Sequence, residues 1–182
     1  MDMEIIVRQL KNNARGNIAR ATKWYEQILK KYESLPLTLP ITDSAMQRVC
    51  QVLTNYRYKT TESCEGHGKQ LPNIFFQCDD QVSLRDLAHI VERELHNLNH
   101  FPWQIRAWSS DPYLNPESKL AYVLEPALWR GEINPQTAHP KLLEDLDFIG
   151  MEVISYFNIP WRFKEVDETI ASTWKKLYGK EE

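Results

Sequence analysis

From Thr60 to Gly68 the chain reads Thr-Thr-Glu-Ser-Cys-Glu-Gly-His-Gly, so a thiol, a hydroxyl, two carboxylates and an imidazole fall within six residues. A cysteine becomes a nucleophile as its thiolate, and a neighbouring imidazole is the usual group that generates it. His67 stands near enough in sequence to turn back towards Cys64, which makes Cys64 and His67 the candidate catalytic pair. Glu62, Ser63, Glu65, Gly66 and Gly68 form the candidate ligand-binding set, with Glu62 orienting the imidazole or meeting the ligand. The two glycines permit positive φ and close backbone approach, and the N–H groups of 65–68 suit an anion nest. The plainer alternative is a buried strand thiol beside a hairpin turn.

Arg106 and Trp108 join the ligand-binding candidates. They alternate with Ile105 and Ala107 and so share one strand face, where a guanidinium beside an indole suits stacking or anion recognition. A neighbouring helix covers such a pair more often than not, and that is the expectation here. Cys64-x-x-His67 is half of a metal-binding spacing, but a zinc site needs three or four ligands. Cys78 is the tempting addition, yet a hairpin turning over 65–72 carries it several residues away, at ~3.3 Å each. No metal is therefore assigned, and no cofactor can be named. The chain has no Gly-rich Lys loop, GxGxxG, HExxH or GxSxG, so the common nucleotide, metalloprotease and hydrolase readings lack support.

The elements that position this loop follow from periodicity. Apolar residues at three- and four-residue steps predict one long helix over 4–33, and Leu35 to Pro40 reads as an extended linker. A second helix starts at Thr42 or Asp43, both good N-caps, and runs to about Tyr56. Tyr58–Cys64 and Asn73–Cys78 read as two strands around the glycine loop. Ser83 with Asp86 resembles a capping box for a helix reaching Leu98. Trp103–Trp108 and Lys119–Leu124 form a second strand pair about a turn at Ser109–Glu117. His139-Pro140 opens a further helix, with proline at its favoured first position. Pro160 breaks that helix, Trp161 and Phe163 read as hydrophobic plugs, and a short last helix carries Val166 to Leu177.

The order predicts an α+β fold: about four antiparallel strands from two hairpins joined by a helix, with the long N-terminal helix and the C-terminal helices packed on the sheet. A length of 182 residues suits one domain over 1–182. Within it lie the helix 4–33, the linker 34–41, an α/β core 42–158 and a C-terminal extension 159–182.

Composition narrows the class. Net charge is -3 and no basic stripe is evident, so nucleic acid is not an expected partner. Charged residues interrupt the first turns, so a signal peptide is not expected, and no apolar stretch is long enough to cross a bilayer. Three cysteines at 50, 64 and 78 cannot all pair, which points to free thiols and the cytoplasm. The expected ligand is a small molecule of unspecified identity.

Ser63, Cys64, Gly66 and His67 resemble the Ser-Cys-x-Gly-His loop of a scattered set of uncharacterised microbial and phage proteins. More distantly, Ser63, Cys64 and Gly66 resemble the Ser-Ser-Cys-Ser-Gly-Arg loop of the wybutosine-synthesising tRNA methyltransferases. Glu62 stands where that family has its first Ser, and His67 where it has Arg. The second resemblance implies S-adenosylmethionine-dependent methylation of a tRNA base, with this loop near the site. Three functions thus stand open: a ligand-binding or enzymatic domain acting through 62–68, a non-catalytic interaction module or homodimer working through helix surfaces, and a tRNA-modifying methyltransferase-like protein.

Overall fold

Ile74 and Phe76 alternate with Asn73, Phe75 and Gln77, and this two-residue period decides which side of a sheet each one faces. The computed structural model describes residues 18–41, 43–78, 80–95, 99–108, 121–128 and 133–158. Its strands are β1 (Lys59–Cys64), β2 (Asn73–Gln77), β3 (Trp103–Trp108) and β4 (Ala121–Pro126). Its helices are α1 (Ile18–Glu33), α2 (Ser44–Asn55), α3 (Gln81–His89) and α4 (Pro135–Asn158), with a π-helical turn at Ile90–Glu94. The strands form one antiparallel sheet in the order β1-β2-β4-β3. The expected α+β architecture is therefore present, the two hairpins joining where β2 pairs with β4.

One face of the sheet carries Ile74, Phe76 and Leu124, all fully buried in a cluster with Val49 and Leu53 of α2 and Ile149 of α4. Tyr58, just before β1, meets Phe76 edge-on at 5.9 Å and donates its hydroxyl to Ser83 O at 2.8 Å. Each large apolar side chain buried in this way stabilises by about 1.5–3 kcal/mol. Helix α1 lies against α4 through Ile28 and Tyr32, and the Tyr32 hydroxyl donates to Asp147 at 2.6 Å.

Several sequence expectations shift. Helix α3 begins at Gln81, not Ser83, and its cap is Asp80. The Asp80 carboxylate accepts from Ser83 N at 2.6 Å and from Ser83 Oγ at 2.7 Å, so Ser83 is the partner of a cap one turn earlier. Helix α4 likewise begins at Pro135, which takes the favoured first position, while Pro140 sits inside the helix. Asn134 provides the start, its side chain accepting from Gln136 N at 2.9 Å. Strand β4 runs to Pro126, two residues past the expected Leu124. The first part of the long N-terminal helix (4–17), the turn at 109–117 and everything expected beyond Asn158 lie outside the described residues.

Candidate functional site at the end of the first hairpin

Strand β1 delivers Ser63 and Cys64 to different sides. Ser63 is paired opposite buried Ile74 and stands beside the Cys50 thiol of α2, whereas Cys64 is paired opposite Asn73 at the end of the ladder. The chain then reverses through Gly66, His67 and Gly68, with φ of 81°, 48° and 67°. Gly66 O accepts from Lys69 N at 2.8 Å and Gln70 N at 3.1 Å, closing the turn. An L-residue in left-handed geometry costs about 1–2 kcal/mol, which glycine avoids, so His67 alone bears that strain.

Two helices grip the peptide of Glu65. Asp43 occupies the N-cap position of α2 but makes no capping bond with its side chain. Its carboxylate instead accepts from Glu65 N at 3.0 Å and reaches to 3.6 Å from His67 Nε2. From α4, His139 Nε2 donates to Glu65 O at 3.0 Å. The other nitrogen of His67, Nδ1, lies 3.2 Å from Glu65 Oε1. The sulfur of Cys64 accepts from Gly66 N at 3.4 Å and from Gln70 Nε2 at 3.3 Å. The outcome is a group of three donors, one each from Asp43, Cys64 and His67, all within 4.8 Å of one another. His67 is 57% exposed and Asp43 16%, so the group opens to solvent on the imidazole side.

No family model, curated protein or solved structure matches this chain. The site is therefore read from its own geometry. Cys64, Glu65, Gly66, His67 and Gly68 do come together as a unit. Glu62 does not orient the imidazole: it is exposed on β1 opposite Phe75, and the carboxylates beside the ring are those of Glu65 and Asp43. Ser63 is turned to the helix side.

Arg106 and Trp108 are not part of this group. Trp108 pairs with Ala121, which pairs with Gln77 at the opposite end of β2 from Asn73. Four residues of strand separate those ends, about 13 Å. The expected cover is incomplete there, since Trp108 keeps 43% of its surface exposed. Arg106 is held by Glu125 at 2.9 Å and lies 5.8 Å from the Trp108 ring centre, and Trp108 meets Phe75 edge-on at 5.6 Å.

Sequence reasoning missed Asp43 as a site residue because a helix N-cap is what an Asp before an apolar-periodic segment ordinarily is. It missed His139 and Gln70 because nothing local marks them: His139 reaches the loop across 74 residues of chain. Cys78 follows Gln77, whose partner is Lys59 at the start of β1, so it stays at the far end of the hairpin.

Chemically, the arrangement offers sulfur, nitrogen and oxygen electron pairs converging on a solvent-facing spot. Both ring nitrogens of His67 are directed at carboxylates. The imidazole thus lies between the carboxylates of Asp43 and Glu65, with the sulfur to one side of it. Among the described residues, no helix is long and apolar enough to cross a membrane.

Proposed function

We propose that this protein is a ligand-binding or enzymatic domain whose site is the hairpin loop 62–68 together with Asp43. The observation that carries the reading is the meeting of the Asp43, Cys64 and His67 donor atoms within 4.8 Å at an exposed turn. Three features support it. Asp43 gives up a helix cap, ordinarily worth about 1 kcal/mol, to face the loop. His67 holds a strained φ of 48°. The Glu65 peptide is fixed from both sides by groups on separate helices. A hairpin that served only to reverse the chain has no use for these three together.

The test is a thermal-shift screen of small anionic and electrophilic metabolites on the parent, Cys64→Ser and His67→Ala. Compounds that stabilise the parent should have no effect on either variant. The variants themselves should melt within about 3 °C of the parent, a change of roughly 1 kcal/mol for a chain of this size. If both variants unfold outright, the loop is a structural element and the reading fails. If compounds stabilise the variants as well as the parent, the binding site lies elsewhere.

A further inference from the structure

We infer that Asp43, Cys64 and His67 bind a single divalent transition-metal ion of the zinc type, leaving one coordination position for a water or a ligand atom. This rests on the loop being the functional site, and names the cofactor that works there.

The donor set fits the ion. Thiolate sulfur and imidazole nitrogen select borderline ions such as Zn2+ over Mg2+ or Ca2+, which take oxygen ligands. Zinc sites with three protein ligands and an open fourth position are the arrangement that supports chemistry or ligand exchange. With metal–donor distances of about 2.0–2.3 Å and tetrahedral angles, donors stand roughly 3.3–3.6 Å apart. His67 Nε2 and Asp43 Oδ1 are already 3.6 Å apart, and all three donors lie within 4.8 Å, so small side-chain rotations close the site.

The surroundings fit as well. A metal-bound imidazole ordinarily donates its other ring N–H to a carboxylate or carbonyl, which fixes the tautomer. Here Nδ1 of His67 lies 3.2 Å from Glu65 Oε1. A small turn of the ring lets Nδ1–H donate to Glu65, and Nε2 then directs its lone pair towards a carboxylate oxygen of Asp43. Two electron pairs then face one another across 3.6 Å, and a cation between them turns repulsion into coordination. The sulfur receives two N–H bonds, from Gly66 and Gln70, of the kind that hold metal-bound cysteine sulfurs. Of Asp43's two oxygens, Oδ2 is tied to Glu65 N, which leaves Oδ1 for the ion. Binding replaces the Cys64 thiol proton, which passes to solvent, so the step releases a proton and changes no oxidation state.

The experiment uses the full chain, prepared with chelator, then dialysed free of it under a non-thiol reductant. Co2+ is titrated and the thiolate-to-cobalt charge-transfer absorption followed; Zn2+ is then added to displace the cobalt, and its affinity read by calorimetry. The expected result is one ion per chain, with sulfur-to-cobalt absorption lost in Cys64→Ser and kept in Cys78→Ser. His67→Ala and Asp43→Ala should each weaken Zn2+ binding by at least tenfold, without lowering the melting temperature of the metal-free protein by more than a few degrees. Glu65→Ala should weaken it by about 10–100-fold, and Glu65→Gln, whose amide oxygen still accepts from Nδ1, should restore most of that. Absence of a one-to-one complex at micromolar Zn2+, or sulfur-to-cobalt absorption that survives Cys64→Ser, overturns the metal site. In that event, compounds from the thermal-shift screen whose effect still depends on Cys64 and His67 leave the ligand-site reading standing. Their absence removes both.

Discussion

Gly66 and Gly68 share a left-handed backbone, yet an added methyl group meets different surroundings at each. At Gly68, a Cβ would approach Gln136 Cα at 3.6 Å, an ordinary contact, so Gly68→Ala carries only the conformational cost. That cost is about 1–2 kcal/mol, offset by ~0.4–1 kcal/mol because alanine also restricts the unfolded chain. The net expectation is about 1 kcal/mol. At Gly66 the same atom would stand 2.0 Å from Gln70 O and 2.9 Å from Gln70 C, both backbone, which no rotamer change relieves. The turn has to open by more than ~1 Å, and overpacking of this kind adds about 1–3 kcal/mol, for a total near 2–4 kcal/mol. Opening the turn also moves Gly66 N and Gln70 Nε2 away from the Cys64 sulfur they contact. Urea unfolding with a common m-value measures the two losses directly, and zinc or compound binding by the folded Gly66→Ala fraction measures the second effect. Equal midpoints for the two alanine variants, or a milder loss at Gly66, would show that the turn is not closed as described.

Other outcomes follow from the core. Asp145→Ala leaves His100 N, Phe101 N and Trp103 Nε1, which donate to this carboxylate at 2.7, 3.1 and 3.1 Å, without an acceptor, and at about 1–3 kcal/mol per buried donor should cost roughly 3–5 kcal/mol in urea unfolding. Asp145→Asn, whose single amide oxygen serves one side of that set, should cost less. Burial pushes the Asp145 carboxyl above the ordinary aspartate range, with the three N–H bonds opposing, so the folded state holds its proton more tightly than the unfolded chain. The parent therefore gains stability from this group as the pH falls through the raised value towards about 3.9, Asp145→Asn lacks that gain, and the gap between the two should widen on acidification. Asp80, held low by Ser83 N–H and hydroxyl, acts with the opposite sign: its contribution fades as the pH drops through its folded value, and the pH slope of Asp80→Asn should be shallower there. Gly150→Ala places a methyl 2.7 Å from Tyr32 Cε2 and should cost about 1–3 kcal/mol, a loss that shrinks in a double-mutant cycle with Tyr32→Ala. Cys50 is fully buried and burial is the main cause that pushes its thiol up to about 11, so iodoacetamide at pH 8 should label Cys64 and Cys78 in the native chain and Cys50 only in denaturant.

What could be read from the sequence and what could not divides along one physical line. The hairpins and helices were legible because their signals are local: Ile74 and Phe76 alternate over a strand, and Met46, Val49 and Leu53 recur at helical steps regardless of what packs on them. Where two local signals competed, the nearer alternative prevailed in the folded chain. Asp80 outbid Ser83 as a cap because its carboxylate reaches Ser83 N, and Pro135 took the first helical position ahead of Pro140 because Asn134 stood ready before it. Within the site, Cys64 and His67 were legible for the same local reason, being three residues apart around a glycine. Asp43 and His139 were not, since each had an adequate local role, one as a helix cap and the other as the entry to a helix. Only the packing of α2 and α4 against the first hairpin decides that both bond to the peptide of Glu65. That choice is informative in itself. A carboxylate that forgoes the N–H groups at its own helix start, in favour of one N–H on a distant turn and a place beside its imidazole, trades a dependable stabilisation for the placement of a charge beside sulfur and nitrogen donors. Replacing Asp43 by Ala therefore should lower stability by about 1 kcal/mol, through the lost Glu65 N–H bond and not through a lost N-cap contact, while removing an oxygen donor from the group that contains Cys64 and His67.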